Sequence, residues 1–148
     1  MRALLQRVTR ASVREGGGPI AGIGPGLLIL LGVRAEESPG VAERLAERCA
    51  GLRIFDDERG KMNRSVLEAG GEALVVSQFT LYADTSRGRR PGFEAAARPD
   101  VAEPEYRRFC EALEGRGVPT RRGRFGASME VELVNDGPVT ILLESPVG

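Results

Sequence analysis

Leu27-Leu28-Ile29-Leu30-Leu31-Gly32-Val33 is an unbroken apolar run set off by Gly24-Pro25-Gly26. With no polar residue to turn toward water, the run predicts a strand covered on both faces. It is too short to span a bilayer as a helix, which takes about 20 apolar residues.

Such a strand needs neighbours. Upstream, Ala3 to Val13 is rich in branched residues and predicts one long strand or two short ones. Glu15-Gly16-Gly17-Gly18-Pro19 is a turn, and Ile20 to Ile23 is a short strand. Downstream, Ser38-Pro39 reads as an N-cap followed by the first helical position. Val41, Leu45, Ala46, Cys49 and Leu52 then recur on one helical face, with Arg44, Glu47 and Arg48 opposite. Asp56 to Gly60 is a turn, and Lys61 to Gly71 reads mostly as loop. Ala73 to Leu81 predicts a second buried strand, and Arg87 to Pro91 a basic loop broken by Gly and Pro. A second helix is expected over Ala102 to Leu113, with Pro104 in its first turn and Tyr106, Phe109, Cys110 and Leu113 on its apolar face. In the tail, Met129, Val131 and Leu133 alternate with Ser128, Glu130 and Glu132. With Val139 to Glu144 they suggest a hairpin turning at Asn135-Asp136-Gly137-Pro138. Strands dominate and two helices interrupt them. The pattern is α+β, with a mixed or antiparallel sheet, helices on one face, and one domain over residues 1–148.

Composition narrows the chemistry. The 148 residues carry 21 basic and 21 acidic side chains, so no overall positive field draws in nucleic acid. Lys61 is the only lysine, and the arginine excess beside so much Ala and Gly fits a GC-rich genome. There is no histidine, which excludes Ser-His-Asp and Cys-His catalysis within the chain. Cys49 and Cys110 are too few for a zinc site and read as buried free thiols. No metal or organic cofactor is implied. Met1 to Val13 contains no long apolar stretch, so neither a signal peptide nor a membrane span is expected, and the simplest location is cytoplasmic.

Two segments carry polar groups in unusual places. Ser77-Gln78-Phe79-Thr80-Leu81 ends a strand that begins Ala73-Leu74-Val75-Val76. By residue chemistry alone it reads as a strand emerging at a sheet edge, since buried hydroxyl and amide groups cost free energy without partners. Asn135-Asp136-Gly137-Pro138-Val139-Thr140 reads by the same standard as a turn.

Together these segments resemble the two signature motifs of the D-aminoacyl-tRNA deacylase family, Ser-Gln-Phe-Thr and Asn-x-Gly-Pro-x-Thr. Gln6-Arg7-Val8, Arg53-Ile54-Phe55, Gly60-Lys61-Met62-Asn63, Arg90-Pro91, Phe93 and Gly123-Arg124-Phe125 with Met129 follow in the family's order, so the resemblance spans essentially the whole chain.

The resemblance implies the family's barrel-like α+β fold and an esterase. Its substrates would be D-aminoacyl-tRNA and glycyl-tRNA, and its active sites would lie at the interface of a homodimer. It implies a cis peptide at Gly137-Pro138 that enters the partner subunit's pocket and excludes L-amino acids by shape. Ser77, Gln78, Phe79 and Thr80 would form the catalytic segment. Backbone N–H groups near Phe79 and Thr80 would act as oxyanion donors. Thr80 is expected to position substrate, because a hydroxyl nucleophile needs a base and no histidine exists. Arg7 would steady the Gly-Pro loop, where residue chemistry alone gives a solvated strand arginine. Phe125 and Met129 would line an adenosine pocket, with core packing the equal alternative. Lys61, Arg87, Arg89 and Arg90 are candidates for phosphate contact, or simply solvated. Two other classes fit the chain: a non-catalytic RNA-binding module, and a homo-oligomer binding a small molecule between subunits.

Overall fold

The structure, a computed structural model, describes residues 1–146. Strand β1 (Arg2–Glu15) is continuous over 14 residues. One of its edges pairs antiparallel with β3 (Gly26–Gly32) through residues 2–8, then with β2 (Gly18–Ile23) through residues 11–15. Its other edge follows β8 (Glu130–Glu144) along almost its whole length. Beyond β3 the sheet continues through β6 (Glu72–Ser77) and β7 (Thr120–Arg122), both added in parallel. A short antiparallel ribbon of β4 (Phe55–Asp56) and β5 (Met62–Arg64) stands apart.

Each parallel step requires a crossover. Helix α1 (Val41–Gly51) lies on the crossover between β3 and β6, and α2 (Pro99–Gly115) on the one between β6 and β7. Both helices bury their apolar faces in one core with Leu5, Leu27, Ile29, Leu31 and Val75 of the sheet. Val8, Val13, Ile23, Leu28, Leu74 and Val76 form a second cluster on the sheet's other face. Its members come from β1, β2, β3 and β6, so the sheet covers this face by coiling on itself. This is the barrel-like α+β arrangement expected above. β3 is therefore buried on both sides, as its apolar run predicts. Each fully buried leucine contributes about 1.5–3 kcal/mol relative to exposure. Among the described residues, no helix is long and apolar enough to cross a membrane.

Several local expectations are corrected. The N-cap of α1 is Gly40 (φ 82°), not Ser38; the Ser38 carbonyl instead accepts from Val41 N–H at 3.3 Å, closing a turn just before the helix. α2 begins at Pro99, which places Pro104 inside it; the hydrogen bond Pro104 cannot donate falls on Asp100, an exposed residue whose carbonyl water can satisfy. The stretch that reads as loop contains β5, and β7 adds a strand whose three residues are too few to show a periodicity. The strand expected over Ala73 to Leu81 stops at Ser77, and Phe79–Tyr82 forms a 3-10 turn. The tail is not a hairpin: both halves of β8 pair with β1, so its central residues bulge from one strand.

Candidate active site

The end of β6 is fixed from three sides. Gln78 N–H donates to the Leu31 carbonyl at 2.8 Å, extending the β3 pairing by one residue before the chain turns. Arg2 of β1 donates from Nη1 to the Leu81 carbonyl at 2.6 Å, and its guanidinium lies 4.6 Å from the centre of the Tyr82 ring. Tyr106 of α2 donates its hydroxyl to the Val75 carbonyl at 2.8 Å, which also receives Gly123 N–H at 2.9 Å. Burial pushes the Tyr106 phenol well above its usual range, so it stays a donor.

Within the 3-10 turn, the first main-chain bond runs from Leu81 N–H to the Gln78 carbonyl at 3.3 Å. The amides of Phe79 and Thr80 therefore lie outside the turn's own ladder. Gln78 Nε2 donates to Thr80 Oγ1, which orients the threonine hydroxyl. Phe79 is 54% exposed and meets Phe93 edge-on, with ring centroids 5.0 Å apart.

This turn opens onto a cleft of about 260 Å³ lined by Ser77, Gln78, Phe79, Gly126, Met129 and Val131, among others. Every lining residue is uncharged. Met129 is held in the lining by its sulfur, which accepts Arg124 N–H at 3.4 Å. Phe125 does not line the cleft; its ring packs against Tyr106 with centroids 5.8 Å apart, at the margin of the main core. Among the described residues, no three His, Cys, Asp or Glu side chains are grouped to hold a metal ion.

The second motif takes a different place. Gln6 pairs with Thr140 and Val8 with Asn135, so Arg7 alone faces the four residues Asp136 to Val139. The surplus chain arches out of the sheet. Asn135 ties its base: Nδ2 donates to the Val139 carbonyl and to Thr140 Oγ1, each at 3.1 Å, and Oδ1 accepts Val139 N–H at 2.7 Å. Arg7 fills the space beneath. Its Nε donates to the Asp136 carbonyl at 2.8 Å, and its Nη1 to the Ile54 carbonyl at 2.8 Å and to Asp56 Oδ1 at 3.2 Å. Arg7 is only 8% exposed, so it is a buried strut rather than a solvated strand residue. At the crest, the Gly137-Pro138 peptide is cis and both residues are exposed. A side chain at Gly137 would meet Val139 Cγ2 at 2.7 Å, and its φ of 149° suits glycine.

The structure thus brings Ser77, Gln78, Phe79 and Met129 to one cleft, with Thr80 beside them. It joins Arg7 to the Gly137-Pro138 arch, but neither arch residue lines that cleft within the same chain. The roles of four site residues were not legible in the sequence. Asn135 reads as a turn former, while its work is to clamp the arch. Tyr106 reads as core, and only its hydroxyl's target links it to the site. Gly126 and Ala127 carry no chemistry-bearing side chain and gave no signal.

Residues 4–144 match the family model described as D-Tyr-tRNA(Tyr) deacylase. The D-aminoacyl-tRNA deacylase of Symbiobacterium thermophilum is 61% identical over 145 residues, covering 98% of this chain and 96% of the relative. That of a Roseiflexus species is 58% identical over 147 residues, covering 99% and 95%. Among solved structures, one titled c-Myc DNA unwinding element binding protein superposes with a TM-score of 0.94 at 44% identity, covering 99% of this chain and 100% of that one. A second, titled as a probable eukaryotic D-amino acid tRNA deacylase, has a TM-score of 0.82 at 18% identity over 96% and 97% of the chains, and shares the fold.

Proposed function

Because the chain belongs to the D-Tyr-tRNA(Tyr) deacylase family and is thereby an ester hydrolase acting on D-aminoacyl-tRNA, we propose that it sorts its substrates with the main-chain arch at Gly137-Pro138. The arch of one subunit enters the cleft of a second in a homodimer. There its carbonyl groups meet the substrate's amino group and occupy the space an L side chain needs. A main-chain wedge reads the stereocentre without reading the side chain, so one site serves many D-amino acids, and achiral glycine passes as well. Residues 1–148 act as one domain, in the cytoplasm where charged tRNA is found.

In the reaction, water adds to the ester carbonyl carbon. The amides of Phe79 and Thr80 stabilise the oxyanion, each such donor being worth about 2.7–4 kcal/mol. The bond to the ribose oxygen then breaks and that oxygen takes a proton, releasing free amino acid and tRNA. The cleft lining is uncharged and the chain lacks histidine, so a ribose hydroxyl of the substrate orients the water. Thr80, held by Gln78, positions the ester. Met129 borders the terminal adenosine, with Phe125 bracing the same loop.

The observation that carries this reading is the exposed arch, braced by buried Arg7 yet absent from its own chain's cleft. The test is deacylation of D-aminoacyl-, L-aminoacyl- and glycyl-tRNA by the purified protein, with sedimentation for subunit count. Loss of the D and glycyl esters alone, by a dimer, is expected. Equal loss of D and L esters, or full selectivity in a monomer, would sink the cross-subunit wedge. Binding without loss of any ester would favour a nucleic-acid-binding role, as the 44% identical structure's title suggests for that protein.

A further inference from the structure

The segment from Asp84 to Gly92 is a closed loop. Asp84 and Gly92 exchange both main-chain hydrogen bonds, at 2.7 and 2.8 Å. Ser86 folds back onto the Asp84 carboxylate through its N–H at 2.9 Å and its hydroxyl at 2.6 Å. That carboxylate is therefore occupied at the loop's base. The tip carries Arg87, Arg89 and Arg90, all exposed. Among the described residues, none of these three side chains has a hydrogen bond or ion pair. Most other arginines have acidic or carbonyl partners, such as Arg10 with Glu132, Arg107 with Glu103 and Arg116 with Glu47; Arg59 and Arg121 stand alone rather than in a cluster. In a chain with no net charge, three adjacent unpaired guanidinium groups form a local concentration of positive charge.

The loop's position matters as much as its charge. Phe93, the residue after its closing bridge, packs edge-on against Phe79 at 5.0 Å between ring centroids. The loop is thus rooted directly on the turn that borders the cleft.

Resting on the reading above, we propose that the loop of Arg87, Arg89 and Arg90 is the docking surface for the sugar-phosphate backbone of the substrate's acceptor end, just beyond the terminal adenosine. Guanidinium groups suit phosphate oxygens through paired N–H donors, and a loop with no internal ion pairs to break gives them up without competition. The contacts are to backbone, so they raise affinity for any tRNA and leave the chemical step alone.

The test compares the protein with a variant carrying Arg87→Gln, Arg89→Gln and Arg90→Gln, and with one carrying Lys at the same positions. Each is assayed on full D-aminoacyl-tRNA and on D-aminoacyl-adenosine, which has no acceptor stem. The Gln variant should raise KM for full tRNA about tenfold or more with kcat retained. It should also flatten the dependence of log kcat/KM on log salt by about 2–3, the counterions released by three phosphate contacts. The small ester should be hydrolysed at the parent rate, the Lys variant should recover most of the affinity, and thermal unfolding should be unchanged. An unchanged KM on full tRNA, or equal loss on both substrates, overturns the proposal; an acidic protein would then be the better occupant. Should the parent hydrolyse neither ester, the functional reading fails by itself. Filter binding of uncharged tRNA then decides the loop separately: weaker binding with a shallower salt slope supports it, and parental binding overturns it.

Discussion

Arg7 Nε donates to the Asp136 carbonyl at 2.8 Å, from a strand residue that faces four residues of its neighbour. One buried guanidinium thereby holds an exposed main-chain arch, and links it through Ile54 and Asp56 to the segment that follows α1.

Replacing Arg7 tests that link. Arg7→Met keeps the aliphatic stem and leaves the Ile54 and Asp136 carbonyls without a donor. Each unsatisfied buried group costs about 1–3 kcal/mol. We expect an unfolding free energy, read from urea titration, lower by an amount of about that size, and a D-over-L preference reduced at least tenfold. Parental selectivity in a folded Arg7→Met protein would show that the arch holds itself.

Gly137→Ala places a methyl 2.7 Å from Val139 Cγ2 and 2.8 Å from Val139 N, at a φ of 149° that L side chains rarely adopt. The arch must shift, at a cost of about 1 kcal/mol or more. The expected readout is a loss in kcat/KM for D-esters that, expressed as a free energy, exceeds the loss in unfolding free energy, followed by parallel activity and denaturation measurements. Equal activity would mean that the arch has no role in the reaction.

Thr80→Ala removes a hydroxyl whose partner is the Gln78 amide, a group too weakly basic to take its proton. Turnover should fall less than tenfold, and mass spectrometry of the reacting enzyme should show no acyl adduct. A trapped threonine ester would make Thr80 the nucleophile.

Cys49 and Cys110 are buried thiols whose burial raises their pKa from 9.0 to about 12. Above pH 9 the unfolded chain releases these protons and the folded protein keeps them, so the native state binds more protons and stability falls as pH rises. Each thiol contributes a slope approaching about 1.4 kcal/mol per pH unit between its two pKa values. Urea titrations from pH 8 to 11 should show stability steady near pH 8 and declining past 9. A Cys49→Ala/Cys110→Ala protein should lose much of that slope.

What local chemistry determines was readable in the chain. The Leu27–Val33 run predicts a strand covered on both faces because no residue in it tolerates water, and the helical spacings around Cys49 and Cys110 identify the faces that enclose the core. The two motifs around Ser77 and Gly137 were visible as residues out of place. Their geometry was not. Strand Ala73 to Leu81 was expected to run on through Phe79, but the guanidinium of Arg2 and the end of the β3 ladder turn it at Ser77. Asn135 to Pro138 has the composition of a hairpin turn. It became an arch only because β1 is long enough to pair with both flanks of β8. Arg7 was a surface residue by its own chemistry until the carbonyls of Ile54 and Asp136 came together around it. Burial of apolar side chains depends on spacing along one segment, which a sequence displays. The partners of a polar group come from segments far apart in the chain, and only the folded sheet brings them within reach.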